Sequence, residues 1–351
     1  MATPVNNTDW IEWATTLLEG VSRETHTATL PPDRFYCLLD ELPLHLIPQR
    51  HRASIADRER TQHESPQQHV LNPSCVLTEA GNLPDDLASH SDLFSRFPLQ
   101  GTIAWVRDES TFTALPFWIG PKFKTMIESF TPGEPVPATL SHQDRAVLTV
   151  AGILKLVGAD VSRHQPNDRV TQLSKLFREK GYAPLRDLIH PFHVAALRRY
   201  YRYLIRKGEI QLGDGQSPRR YIAYNDQVAR FFHHQIAATL SAVAGEIVKP
   251  SYVYMASYLS GAELKKHTDR EQCEFSITLC LDFSPEPALE TLWPIKLDTP
   301  TGSVTVYQAL GDGLAYRGTR LPHYRDPLPE GYTSTSIFFH YVAADFKGSL
   351  A

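Results

Sequence analysis

Apolar positions recur at helical spacing through the first half of the chain and in short alternating runs through the last third. Trp10, Trp13, Leu17 and Leu18 predict a helix over residues 9–19 that Gly20 stops, and Phe35, Leu38, Leu39 and Leu42 repeat the pattern over 32–42. Residues 49–70 are dominated by Gln, Arg, His, Glu and Ser, which predicts a solvated loop or linker. Beyond it the pattern predicts a strand over 102–106 and a helix over 121–130. A further helix over 141–158 would be capped by Ser141, with Val147, Val150, Ile153, Leu154 and Leu156 along its apolar side.

A polar break at 162–168 separates this region from the next. Tyr182-Ala183-Pro184-Leu185 reads as a strand, and 191–207 as a helix that Pro191 starts and Gly208 ends. Val228, Phe231, Phe232, Ile236, Leu240 and Val243 give a helix over 226–244 a wide apolar face. Short strands are expected over 253–259, 275–283, 304–308, 314–316 and 334–342. Helices followed by many short strands predict an α+β fold with a sandwich or barrel core. The expected division is a mostly helical accessory region, 1–175, followed by a second domain, 176–351.

The 351 residues carry a net charge of −4, with 42% hydrophobic and 21% charged positions, within the globular range. No basic run interleaved with aromatics points to nucleic acid as a partner. No apolar run is long enough to cross a bilayer, and the polar start does not read as a signal peptide. Cys37, Cys75, Cys273 and Cys280 form no CxxC pair, so a reduced, cytoplasmic setting is expected.

His267-Thr268-Asp269 changes the picture most. In a strand, side chains at i and i+2 share a face, and His323 supplies a third metal-ligand type from a distant segment. Two His and one carboxylate form a facial triad that leaves one side of a ferrous ion open. The strand 275–282 alternates large apolar with small or polar groups, so one face can pack into a core while the other lines a pocket. The distal half runs Gly311-Asp312-Gly313-Leu314-Ala315-Tyr316, then Leu321-Pro322-His323-Tyr324-Arg325-Asp326-Pro327-Leu328 and Gly331.

With Tyr258 and a Gly261-containing turn before His267, this layout over residues 181–345 resembles the 2-oxoglutarate- and Fe(II)-dependent dioxygenases, nearest to their prolyl-4-hydroxylase-like branch. The resemblance implies a double-stranded β-helix, or jelly-roll, core with supporting helices. It implies iron held by His267, Asp269 and His323, 2-oxoglutarate as cosubstrate and O₂ as oxidant, with ascorbate as a supporting reductant. Tyr258 matches the family tyrosine that hydrogen-bonds the cosubstrate, and Ser276 stands where a small hydroxyl would assist. The basic residue that usually clamps the distal carboxylate is replaced by Thr333. Arg325 is the substitute candidate, because a regular strand would put it on the face of His323; its alternative is a surface ion pair with Asp326. Arg317 and Arg320 are weaker candidates.

The implied activity is hydroxylation of an unactivated carbon in an amino acid, peptide or specialised metabolite, yielding succinate and CO₂. Related halogenases carry Gly or Ala in place of the carboxylate, so Asp269 argues for hydroxylation, with desaturation and cyclisation open. A cupin-like metal enzyme that does not use 2-oxoglutarate and a non-catalytic binding protein are the rivals. The N-terminal region is expected to recognise substrate or shield the barrel mouth. His190, His193, His233 and His234 are expected to be capping and surface residues. Arg198, Arg199, Arg219 and Arg220 are expected to be solvated, and His340 to be a strand-core residue.

Overall fold

The computed structural model describes residues 30–52, 68–108, 113–131, 133–137, 139–157 and 166–350. The helix expected over 9–19 and most of the polar stretch, 53–67, lie outside them. Among the described residues no helix is long and apolar enough to cross a membrane.

Among its described residues the N-terminal region mixes strands with short helices. Strands β1 (His69–Leu71), β2 (Cys75–Thr78), β3 (Thr102–Asp108), β4 (Thr113–Ile119) and β5 (Leu154–Leu156) accompany helices α1 (Asp85–Ala88), α2 (Pro121–Glu128) and α3 (His142–Val150). Strands β2, β3 and β4 form one antiparallel sheet, and β1 pairs with β5. Every residue of β4 is buried, and such a continuous apolar run has no periodicity to separate strand from helix. The helix expected over 141–158 ends at Val150. Gly152 adopts φ +77° and turns the chain into β5, which carries the leucines assigned to the helix. Over 32–42 only the 3₁₀ turn Leu39–Glu41 forms, because backbone groups ahead of it pair elsewhere: Phe35 N–H with Arg96 C=O, and Cys37 C=O with Trp118 N–H.

Helix α4 (Pro166–Lys180) precedes strand β6 (Tyr182–Leu185) and helix α5 (Pro191–Arg206). After β7 (Gln211–Leu212) and β8 (Arg220–Tyr224), helix α6 (Gln227–Ala244) is capped by the Asp226 carboxylate, which accepts from the Val228 and Ala229 N–H groups. Gly245 ends it in the left-handed conformation. Then follow β9 (Val248–Tyr258), β10 (Leu264–His267), β11 (Phe275–Ser284), β12 (Ile295–Thr299), β13 (Gly302–Val306), β14 (Gly313–Tyr316), β15 (His323–Arg325) and β16 (Thr333–Ala343).

Two antiparallel sheets result. The larger has the order β6-β14-β11-β16-β9-β8-β7, the smaller β10-β15-β12-β13. They face one another: Ile295 and Leu297 of the small sheet meet Leu314 and Tyr316 of the large one in one apolar cluster. On the opposite side of the large sheet, Ile337, Phe339 and Tyr341 pack with the apolar faces of α5 and α6. The same cluster continues into the N-terminal region, where Phe97 meets Phe231 and Phe35 meets Phe232 at 5.2 and 5.7 Å between rings.

Candidate metal centre

The small sheet brings His267 and His323 together. β10 and β15 pair with His267 opposite His323, and the ring centroids lie 4.4 Å apart. The strand ends at His267, so Asp269 reaches the site from the turn beyond it rather than as the second inward residue of a regular strand. Its N–H donates to the Gly318 carbonyl at 2.9 Å, which fixes the turn.

Asp269 Oδ1 stands 3.6 Å from His267 Nε2 and 3.5 Å from His323 Nε2. Three donors on one face of an octahedron with bonds of about 2.1 Å stand about 3 Å apart; both carboxylate–imidazole separations are within about 0.6 Å of that, and all three ligand atoms lie within 4.8 Å of one another. The imidazoles are preset. His267 Nδ1 lies 2.7 Å from the Lys265 carbonyl, and His323 Nδ1 lies 3.0 Å from that of Leu321. A carbonyl can only accept, so each Nδ1 carries the proton and each Nε2 offers its lone pair to the centre.

The electrostatics separate the two imidazoles. The Asp269 carboxylate raises the pKa of His267, whereas burial lowers that of His323. Burial alone would raise the Asp269 carboxyl. His267, the charges near it and the Ser276 hydroxyl outweigh this and hold it below the ordinary carboxylate range.

Other predicted residues fall into three groups. Arg325 is on the face of His323, only 6% exposed, and its guanidinium lies 4.6 Å over the Trp293 ring. It donates to the Trp293 carbonyl at 2.5 Å and to Gln308 Oε1 at 3.3 Å. Asp326 pairs with Lys296 instead, at 2.6 Å, and no Asp or Glu pairs with Arg325 among the described residues. Tyr258 is buried between Trp293, 5.1 Å away, and the Arg220 guanidinium.

Ser276 belongs to the triad's surroundings, since its hydroxyl donates to Asp269 Oδ2 at 2.9 Å. Thr333 is a correction. It lines a small cleft with Arg198, Tyr201, Arg202 and Asp282 on the helix side of the large sheet. Alternation places it with Thr335, Ile337 and Phe339 rather than with the inward residues Phe338 and His340. Arg317 turns toward Phe177 and Phe275, and Arg320 is exposed.

Several polar residues lie deeper than expected. His193 and His233 are buried, and burial lowers both pKa values, that of His193 to about 3. Arg198 is buried with Asp282 and Glu286, and Arg220 with Asp214. His340 reaches the centre: its Nδ1 is 2.9 Å from Ser276 Oγ. Asp269, Cys273 and His340 also bring donor atoms within 4.8 Å of one another, but the Ser276 hydroxyl already bonds Asp269 and His340 between them. The sequence placed His340 in a strand core and gave no sign of what it meets. Gln308, Trp293 and Gly318 carried no signal of their own.

No protein-family model matches the chain, and no curated protein matches it. Among solved structures, the chain is similar to the non-heme alpha ketoglutarate dependent epimerase SnoN from nogalamycin biosynthesis, with 15% identity and a TM-score of 0.43 over 51% of this chain and 84% of that one. It is similar to a Pseudomonas putida prolyl-4-hydroxylase, with 15% identity and a TM-score of 0.41 over 51% of this chain and all of that one. A third is HygX from Streptomyces hygroscopicus with nickel, 2-oxoglutarate and hygromycin B bound, at 11% identity and a TM-score of 0.40, over 50% of this chain and 88% of that one.

Proposed function

We propose that the protein is an Fe(II)- and 2-oxoglutarate-dependent oxygenase built on a double-stranded β-helix, with His267, Asp269 and His323 as metal ligands. The observation that carries the cosubstrate is Arg325. It is a buried guanidinium with no carboxylate partner among the described residues, two positions from the inner histidine. An uncompensated buried charge is costly, and an anionic ligand offsets that cost. A diacid chelating a metal between the two imidazoles would extend its far carboxylate toward this guanidinium, with the Tyr258 hydroxyl close by. The bound metal would bring O₂, the oxidant, together with the cosubstrate: 2-oxoglutarate would give up two electrons as it loses CO₂ and becomes succinate, the substrate C–H bond would supply the other two, and one oxygen atom would go to each product.

The chain's own residues do the rest. The Lys265 and Leu321 carbonyls orient the two imidazoles. Tyr316, buried with its ring 4.8 Å from His323, and Trp293 keep water from the inner side of the centre. The reaction proposed is hydroxylation of an amino acid, a peptide or a small specialised metabolite.

The test is succinate release by the Fe(II)-loaded protein with ascorbate across candidate amino acids and peptides, together with an anaerobic titration of 2-oxoglutarate. Binding of the diacid and substrate-dependent succinate are expected. A protein that binds iron but leaves 2-oxoglutarate untouched would be a metal enzyme of another kind, and the assignment would fall.

A further inference from the structure

We propose that Ser276, His340 and Gly318 hold Asp269 as a ligand through one oxygen only, an inference that rests on the metal-centre assignment above. The two carboxylate oxygens have different surroundings. Oδ1 faces both imidazoles, at 3.6 and 3.5 Å, while Oδ2 accepts from Ser276 at 2.9 Å on the far side. A serine hydroxyl has a single proton, and here Asp269 receives it. The 2.9 Å contact between Ser276 Oγ and His340 Nδ1 must then run the other way, with the ring N–H donating to the hydroxyl oxygen. The chain is therefore directed: His340 Nδ1–H to Ser276 O–H to Asp269 Oδ2.

Two further features lock it. His340 is buried, with the Tyr252 and Tyr254 rings 4.7 and 5.6 Å away, and its Nε2 meets no partner. With no Nε2 partner among the described residues, that is the pattern of a neutral imidazole whose one proton sits on Nδ1. On the opposite side, Gly318 closes the space behind the carboxylate. A Cβ there would lie 2.2 Å from Asp269 Oδ2, 2.4 Å from the Cys273 carbonyl and 2.8 Å from Ser276 Oγ, one of them backbone and the other two joined by a hydrogen bond. The carboxylate cannot swing its second oxygen toward the metal without breaking the chain. Three protein donors then occupy three positions and no more, and an octahedral ion keeps three for cosubstrate and oxidant.

The experiment is a Co(II) titration of the anaerobic full-length protein, read by visible absorption, for the parent, S276A, H340F, G318A and the S276A/H340F pair, with circular dichroism as a control for folding. S276A and G318A are expected to weaken Co(II) binding about 10–100-fold and to change the visible spectrum. H340F should weaken it in the parent background and add nothing in S276A, because a directed chain broken once cannot be broken again. Folded S276A and G318A proteins with parental affinity and spectrum would overturn the proposal, as would additive losses in the pair. If the parent itself takes up no Co(II), the metal-centre assignment fails first and carries this inference with it.

Discussion

His323 and Arg325 stand two residues apart on one three-residue strand, and both side chains turn inward. Tyr324 between them turns out, under the Lys266 and Lys296 ammonium groups at 4.7 and 5.6 Å. One strand step of two residues is about 7 Å, roughly the length of a short dicarboxylate. The imidazole and the guanidinium thus leave the strand on one face, about that far apart along the backbone.

Replacing Arg325 by Met keeps volume and removes charge. R325M is expected to raise the Kd for 2-oxoglutarate about 10–100-fold, the range for hydrogen bonds to a charged group, while Co(II) affinity stays near the parent value. Anaerobic titration of the Co(II)-loaded variant measures both. An unchanged Kd would assign the guanidinium a structural role only.

Asp269→Ala should leave two imidazoles and no carboxylate. Loss of Co(II) binding by 100-fold or more is expected, with the proposed 2-oxoglutarate turnover lost alongside. Full turnover in this variant would contradict the assigned ligand.

Removing residues 1–170 strips Phe35, Phe97 and Phe117 from the rings of α5 and α6 they cover. It also removes Arg50, whose guanidinium reaches Asp187, the Leu310 carbonyl and Asp312 at 2.6, 2.9 and 2.8 Å. The truncated chain is expected to be insoluble or molten. A soluble truncation with a cooperative thermal transition would establish instead that the second region folds alone.

Acid stability should report on Asp282. Burial raises its carboxyl, but Arg198 and Arg202 outweigh burial and bring it to about 2, against an ordinary 3.8. A depressed folded pKa adds stability that is present above the unfolded value and lost as pH falls through the folded one. Urea unfolding between pH 5 and 2 should therefore lose about 2 kcal/mol from this group. D282N should flatten that part of the profile while lowering stability at neutral pH by about 3–5 kcal/mol, since it strips charge from two buried arginines.

Long periodic segments were legible in the sequence. Helices α5 and α6 and strands β11 and β16 fall within a few residues of their expected bounds, because the helices bury one wide apolar face and the strands are long runs buried on both faces. The small sheet was not legible beyond its motif: β10, β12 and β15 have three to five residues each, too few for alternation to register, and only the residues 302–306 hairpin partner was anticipated in part. His267, Asp269 and His323 could be picked by residue type and spacing. Their supporting groups could not, because Ser276, Gly318 and His340 meet only through tertiary pairing of β11, β16 and the turn after β14. Arg198 and Arg220 looked like surface cations because their carboxylate partners, Asp282 and Asp214, become neighbours only on folding.

The two imidazoles differ sharply in their access to solvent: the His267 side chain is 40% exposed and that of His323 only 3%. An ion seated between them would enter and leave past the outer ring, with the inner ring as anchor. Chelators should accordingly strip a bound ion quickly under mild conditions, and reloading should need no unfolding of the two sheets.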